Sequence, residues 1–273
     1  MSAIARKLLR LLPPSVAGRA RAWYVGRLIA TFPSRTVEHV YGSGRLRVHL
    51  SDPLSEGWYD HDWAELPEIA TLRGNTLRPG AHVFNIGAHQ GVVALMLGRE
   101  VGPSGLVVAV EPNPHNASSA RKNLELNAMD QIRVVEAAAS NRTGSVIFNQ
   151  GLDGQLDDGT GAGGRMKVVS VTLDDLAEQY GLPGLVTIDV EGAECMVLEG
   201  GERVLASGAD FAVEVHVNAG LEKLGGSVQR VLAFFPPPRF VVSVRAEGDE
   251  AFRSLATDDP LLRDRFFLLA QSR

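Results

Sequence analysis

The chain has 273 residues, 45% hydrophobic and 22% charged, the balance of a folded globular protein with room for one large domain or a domain with an extension. A net charge of −5 offers no broad basic field for nucleic acid, and a single cysteine, Cys195, excludes an internal disulfide framework and any cysteine-based metal cluster. No apolar run approaches the roughly 18 residues of a membrane span, and the N-terminus has no compact apolar core followed by a small-residue cleavage site. A cytoplasmic protein is therefore expected.

The N-terminus is basic: Arg6, Lys7, Arg10, Arg19, Arg21, Arg27 and Arg35 all precede the first acid, Glu38. Residues 4–12 and 16–32 read as helices broken at Pro13-Pro14. Their basic and apolar residues suit either a helix packed on the domain with snorkelling Arg stems or peripheral contact with an anionic membrane. Residues 36–41 and 45–50 alternate on either side of Gly42-Ser43-Gly44, the pattern of a β-hairpin. Residues 51–61 read as loop, and 63–77 as an interrupted helix. Trp58, Tyr59 and Trp63 suit the wall of an acceptor pocket, or the closed edge of a core.

From residue 81 the chain alternates. A short apolar run, Ala81 to Ile86, ends in Gly87-Ala88-His89-Gln90-Gly91, and a helix follows to residue 101. Gly87 and Gly91 give the backbone freedom to turn sharply and to approach a ligand closely, and the helix start offers free N–H groups. The second strand, Leu106 to Val110, ends in Glu111. In a parallel nucleotide-binding sheet an acid at that place faces the ribose, and the separation from Gly91 to Glu111 is close to the roughly 20 residues that this geometry needs. Pro114 starts a helix to about residue 127, and residues 132–137 are a third strand. Residues 145–149 and 166–171 read as strands around a Gly- and Asp-rich loop. Thr172 is a candidate N-cap, residues 185–190 a fourth strand and 209–216 a fifth, while 240–244 and 266–270 close the pattern. Alternating strands and helices predict an α/β fold, an open, mostly parallel sheet covered on both faces, with ligands beyond the carboxyl ends of its strands. Asn85, Gly87, Glu111, Asp189, Glu214 and His216 all fall at predicted strand ends.

Together these motifs resemble the FkbM-type family of S-adenosylmethionine-dependent methyltransferases. The matching pieces are Asn-Ile-Gly-Ala-His-Gln-Gly (85–91), Glu-Pro-Asn-Pro (111–114), Val-Thr-Leu-Asp-Asp-Leu (171–176), Ile-Asp-Val-Glu-Gly-Ala-Glu (188–194) and Glu-Val-His (214–216), within residues 79–217. The resemblance implies a class I methyltransferase (Rossmann-like) sheet of seven strands with the last antiparallel, in a domain spanning 79–273, with residues 1–78 as a helical and hairpin extension. It also implies O-methylation of a hydroxyl on a sugar, glycan or other natural product. The sequence departs from the family at Asn85, where an Asp is usual, and at Thr187, where a Lys is common.

On this reading S-adenosylmethionine would rest its methionine part on Gly87, Ala88, His89 and Gly91, with Asn85 beneath. Glu111 would hold the ribose beside Pro112 and Asn113, Glu136 and Ala137 would meet the adenine edge, and Asp189 would stand at the reaction centre. Methyl transfer to a hydroxyl needs an in-line approach and removal of a proton. His216, Asp189 and Glu191 are the candidate catalytic groups. Asp189, Glu191 and Glu214 have the oxygens that a hard cation prefers, but no dedicated ligand spacing, so no metal is assigned. Cys195 reads as a helix-packing thiol. The expected partner is a small-molecule or glycan acceptor; nucleic acid is not expected, and the oligomeric state is open. The alternatives are a nicotinamide-dependent oxidoreductase, whose loop would carry Gly-x-Gly-x-x-Gly where this chain has Gly-x-x-x-Gly, and a cofactor-binding module without turnover.

Overall fold

A computed structural model describes residues 14–152, 154–156, 164–256 and 258–273. The expected helix at 4–12, the first three basic residues and part of the Gly/Asp-rich loop lie outside that range. The first helix, α1 (Pro14–Thr31), lies against a strand of a small side sheet described below. Its Arg27 stacks over the exposed Trp23 ring at 5.8 Å. Arg35 is 2.8 Å from Glu56 and 2.5 Å from Asp60, so part of the basic run is paired within the chain. Among the described residues no helix is long and apolar enough to cross a membrane.

Strands β1 (Arg35–Tyr41) and β2 (Gly44–Leu50) form the hairpin, turning at Gly42 with a φ of 61°. The loop expected over 51–61 is instead a short helix, α2 (Pro53–Tyr59). Asp52 accepts from the Leu54 and Ser55 N–H groups at 2.8 Å, while Ser55 Oγ accepts from the Asp52 N–H at 3.0 Å. This reciprocal cap, with Pro53 at the first position, starts a helix too short for periodicity to reveal. Of the helix expected over 63–77, only α3 (Pro67–Leu72) forms.

The main sheet contains β3 (His82–Ile86), β4 (Leu106–Val110), β5 (Ile132–Val135), β10 (Leu185–Ile188), β11 (Asp210–Val215), β12 (Phe240–Ala246), β13 (Arg253–Ser254) and β14 (Phe266–Ser272). Its order is β13-β12-β14-β11-β10-β3-β4-β5. The strands from β5 to β11 are parallel, and β14 enters antiparallel between β11 and β12. This is the class I methyltransferase arrangement with one correction. The sheet has eight strands where seven were expected, because the two-residue β13 adds to its edge through Ser243↔Ser254 and Val244↔Arg253. Two residues carry no readable alternation.

Helices α4 (Val92–Val101) and α5 (Pro114–Leu126) follow β3 and β4. A smaller sheet, β6 (Ala138–Ala139), β7 (Gly144–Gln150), β8 (Gln155–Leu156) and β9 (Gly164–Val171), intervenes before α6 (Leu173–Tyr180), and β9 is the strand that α1 contacts. Thr172 and Asp175 cap α6 reciprocally. Helices α7 (Glu194–Glu199) and α8 (Glu202–Ala206) lead from β10 to β11, and α9 (Val228–Ala233) leads on to β12. Along β3 and β10, Phe84, Ile86, Val186 and Ile188 face one apolar cluster, while Val83 and Leu185 face another. Apolar side chains on both faces are what a covered parallel sheet requires.

The second cluster also contains Tyr41, Leu46, Val48 and Leu50 of the hairpin with Leu95 and Leu97 of α4, so the packing is continuous across residue 78. Asn123, wholly buried, ties these parts together: its Oδ1 accepts from the His49 N–H at 2.6 Å and its Nδ2 donates to Gln90 O at 2.8 Å. Truncating it strands two buried backbone groups, so Asn123→Ala should cost about 2–4 kcal/mol of stability in urea unfolding. A loss of only a few tenths would show that the hairpin does not depend on this bridge.

Candidate active site

The site begins where β3 ends. The N–H groups of Gly87 and Ala88 both donate to Val110 O, at 2.9 and 3.0 Å, which turns the chain over the tip of β4. Gly87 has a φ of 84°, and a Cβ placed on it would stand 1.7 Å from Asp189 O, so no larger residue fits. His89 also has positive φ, 48°, and its side chain shares a 2.7 Å hydrogen bond with the Tyr59 hydroxyl. Gly91 starts α4 and packs against Ala120, whose Cβ would lie 3.0 Å from an added Cβ.

Glu111 follows β4 and is 5% exposed. Its two oxygens accept from the His89 and Asn113 N–H groups, each at 2.9 Å. Burial outweighs those bonds and raises the carboxyl to about 7. Asn113 also caps α5 through the His115 N–H and donates to Gly151 O at 2.9 Å. A cleft opens beside Glu111 and is lined by Gly87, His89 and Pro112 on one side and Ala139, Phe148 and Leu156 on the other. A carboxylate able to accept from hydroxyls next to an apolar slot suits a nucleoside, and Gly87 lines the same cleft.

The remaining sequence candidates divide. Ala88 is buried with its N–H on Val110 O, and neither it, Gly91 nor Asn113 lines the cleft. Glu136 and Ala137 also do not reach it: β5 stops at Val135, Ala137 N–H folds back to Val135 O, and Glu136 points to Arg121 at 3.0 Å. The next residues, Ala138 and Ala139, line the cleft instead. Asn85 lies on the other face of the sheet. Its Nδ2 donates to Thr187 Oγ1 at 2.9 Å, across the β3–β10 register, and its buried Oδ1 has no hydrogen-bond partner.

Asn85 and Thr187 belong to a second cavity, of about 230 Å³, also lined by Trp63, Glu214, Arg245 and Phe267. Arg245 is 5% exposed, stacks over Phe267 at 3.7 Å and donates to Glu68 at 3.1 Å. Trp58 lines the first cleft, so the aromatic cluster is divided between the two spaces. Gly87 and Asp189 line both.

At that junction His216 is 1% exposed, and its Nδ1–H donates to the fully buried Glu194 at 2.6 Å. Its Nε2 lies 3.6 Å from oxygens of Asp189, Glu191 and Glu214. Glu191 reaches this point from a backbone with a φ of 52°, in a turn whose Gly192 packs so close to Gly220 that a Cβ would stand 2.3 Å from its carbonyl carbon. Burial opposes the charged imidazole, but the Glu194 hydrogen bond and the surrounding acids outweigh it and raise the His216 pKa. Surrounding protein and the Glu214 charge push the Asp189 pKa up, although its side chain keeps 54% of its surface open to the cleft. His216 lines neither open space, and its Nε2 faces the three carboxylates without a hydrogen bond to any of them. Glu194, unassigned in the sequence reading, fixes the imidazole. Cys195 is buried against the core and its thiol is raised by burial.

The strand order is that of the class I S-adenosylmethionine-dependent methyltransferase fold. Residues 85–245, more than half of the chain, match the Methyltransferase FkbM domain, and the chain belongs to that family. It is 27% identical over 149 residues to the 2-O-methyltransferase NoeI of Sinorhizobium fredii, a match covering 47% of this chain and 60% of the relative. The chain thus spans less than two thirds of that relative's length. Among solved structures it is similar to Methyltransferase FkbM from Methylobacillus flagellatus KT, with 19% identity and a TM-score of 0.47 over 73% of this chain and 46% of the other. It is also similar to an S-adenosylmethionine-dependent O-methyltransferase from Thermotoga maritima, with 15% identity and a TM-score of 0.44 over 90% and 80%.

Two measurements check the geometry. If Glu111 holds a ribose, its ionised form is the one that would accept from both hydroxyls. Because its pKa is raised to about 7, that form is lost as pH falls through 7. Affinity for S-adenosylhomocysteine should fall by up to about tenfold from pH 8 to pH 6, while Glu111→Gln should be weaker and pH-flat over this range. Equal slopes in the two proteins by calorimetry would dissociate Glu111 from the cofactor. Asn85→Asp should lower stability by about 2 kcal/mol or more by burying a charge beside Thr187, and should leave cofactor affinity unchanged. Tighter cofactor binding in that variant would place the side chain under the cofactor after all.

Proposed function

We propose that the protein methylates a hydroxyl of a sugar, glycan or other natural product, held in the second cavity while the cofactor lies in the Glu111 cleft. The observation that carries this reading is the sharing of Gly87 and Asp189 by the two spaces, since a methyl group passes directly between two molecules only where their sites meet. The cavity's mixture of aromatic walls with Asn85, Thr187, Glu214 and Arg245 suits an acceptor with both a hydrophobic body and hydroxyl groups. The similarity to a 2-O-methyltransferase favours oxygen as the methylated atom.

When bound, S-adenosylmethionine supplies an electrophilic methyl group on a sulfonium. The chain's part is to hold the ribose through Glu111, to align the acceptor hydroxyl beside Asp189, and to take its proton into the carboxylate cluster. His216 acts as a positioning residue, with its imidazole locked by Glu194.

The test is transfer of labelled methyl from S-adenosylmethionine to a panel of hydroxylated sugars, glycans and polyketides. Asp189→Asn should lower kcat roughly 10²- to 10⁴-fold while cofactor affinity stays within an order of magnitude. Methylation of amines or carbon centres with none at oxygen would overturn the hydroxyl assignment. Cofactor binding with no transfer to any acceptor class would favour a module without turnover.

A further inference from the structure

We infer that Asp189, Glu214 and His216 form a site for one divalent transition-metal ion at the junction of the two cavities, an inference that rests on the hydroxyl-methylation reading and deepens it. One ligand atom from each of these residues lies within 4.8 Å of the others. The acids alone would be an ordinary acidic cluster. His216 Nε2 separates this site from one: it is buried, has no hydrogen-bond partner, and faces the carboxylates.

The distances fit a bridging ion better than a hydrogen-bonded proton. Nε2 is 3.6 Å from each of Asp189 Oδ1, Glu191 Oε2 and Glu214 Oε1, too long for a hydrogen bond to any of them. A proton would draw one oxygen in and leave two behind. An ion about 2.1 Å from both atoms of such a 3.6 Å pair subtends roughly 118°, near a tetrahedral or distorted higher coordination. The other face of the imidazole fits as well. Nδ1–H donates to Glu194 Oε1 at 2.6 Å, so Nε2 is the nitrogen that an ion would take in exchange for its proton, and that same oxygen is held by the Gly192 N–H at 3.0 Å. A carboxylate behind the imidazole is the usual support of a metal-binding histidine. Mixed nitrogen and oxygen donors favour an ion of the manganese–zinc range over calcium. Arg265 lies 3.3 Å from Glu214 Oε1, but its other nitrogen is already on Glu247 at 2.5 Å, so it can give way.

An ion here faces the acceptor cavity through Glu214 and both cavities through Asp189. It would draw electron density from the acceptor oxygen and lower the pKa of its proton. That proton passes to Glu191, the carboxylate outside the ligand set, which lines the first cleft and brings its Oε2 within 3.6 Å of Nε2 at the junction. The oxygen forms its bond to the methyl carbon as the carbon–sulfur bond breaks, and the electron pair stays on sulfur.

The probe is Mn²⁺, added to the full chain after treatment with chelator and followed by the electron paramagnetic resonance of the free ion. The expected result is one ion per chain. Glu214→Gln and His216→Gln should abolish stoichiometric binding, and Glu194→Gln should weaken it roughly ten- to a hundredfold. Failure of the wild-type chain to bind Mn²⁺ stoichiometrically at millimolar concentration would overturn the inference without recourse to any variant. Undiminished binding in both Glu214→Gln and His216→Gln, each checked for its native circular dichroism, would overturn it equally. If one of them fails to fold, Asp189→Asn replaces it. Mn²⁺ binding is read without turnover, so its absence in a chain that methylates hydroxyls removes the ion alone. Its presence in a chain that methylates none removes the hydroxyl reading.

Discussion

The close passage of Asp189 O over Gly87 is the contact from which the site follows. A Cβ on Gly87 would stand 1.7 Å from that oxygen, so the loop after β3 can lie against the end of β10 only because residue 87 has no side chain. The register keeps the two strands level, with Asn85 opposite Thr187 and Ile86 opposite Ile188. Strand order reverses between β3 and β10, which leaves an opening above their tips. The Gly87 contact brings Asp189 into that opening, where the Glu111 cleft and the second cavity meet. Any larger residue at 87 would have to push β10 and its acid away from the first loop.

The same edge concentrates charge that is costly to bury. Glu111 has two backbone N–H partners, yet burial still raises its pKa. Glu194 is fully buried and satisfied on one oxygen by His216 and Gly192, while its other oxygen has no partner. Arg245 is covered by Phe267 and paired with Glu68. Replacing buried ionic groups by well-packed apolar ones is often neutral or stabilising, so packing stability alone does not account for these.

Much of the fold was legible in the sequence because its strands are short apolar runs with clear ends. Glu111 was legible because its place follows from the spacing of the first two strands. The misreadings have local causes. The helix Pro53–Tyr59 depends on one cap at Asp52, and β13 has two residues. The cleft takes Ala138 and Ala139 in place of Glu136 and Ala137 because the chain turns after Val135, which no periodicity records. Asn85 was open to a better reading: in a strand with Phe84 and Ile86 on one face, residue 85 must point to the other. Glu194 lies inside a recognised motif, but its bond to His216 joins residues 22 apart. Glu68, Arg245 and Phe267 line one cavity from three distant parts of the chain, and no window of sequence contains them together.

The bridge beneath the first loop has an energetic consequence. Gln90, within that loop, donates to the buried Asp52 at 2.6 Å, and His115 donates to the same carboxylate at 2.8 Å, while Asn123 joins the Gln90 carbonyl to the hairpin. The loop is thus ordered by the folding of residues 44–55 before any ligand arrives, and binding energy is not consumed in fixing it. Reciprocity then requires the converse: a ligand that favours the ordered loop must also favour the ordered hairpin, although it touches none of the hairpin's atoms. Amide protons of β2 should therefore exchange more slowly with solvent when the Glu111 cleft is filled, making the hairpin a remote reporter of its occupancy.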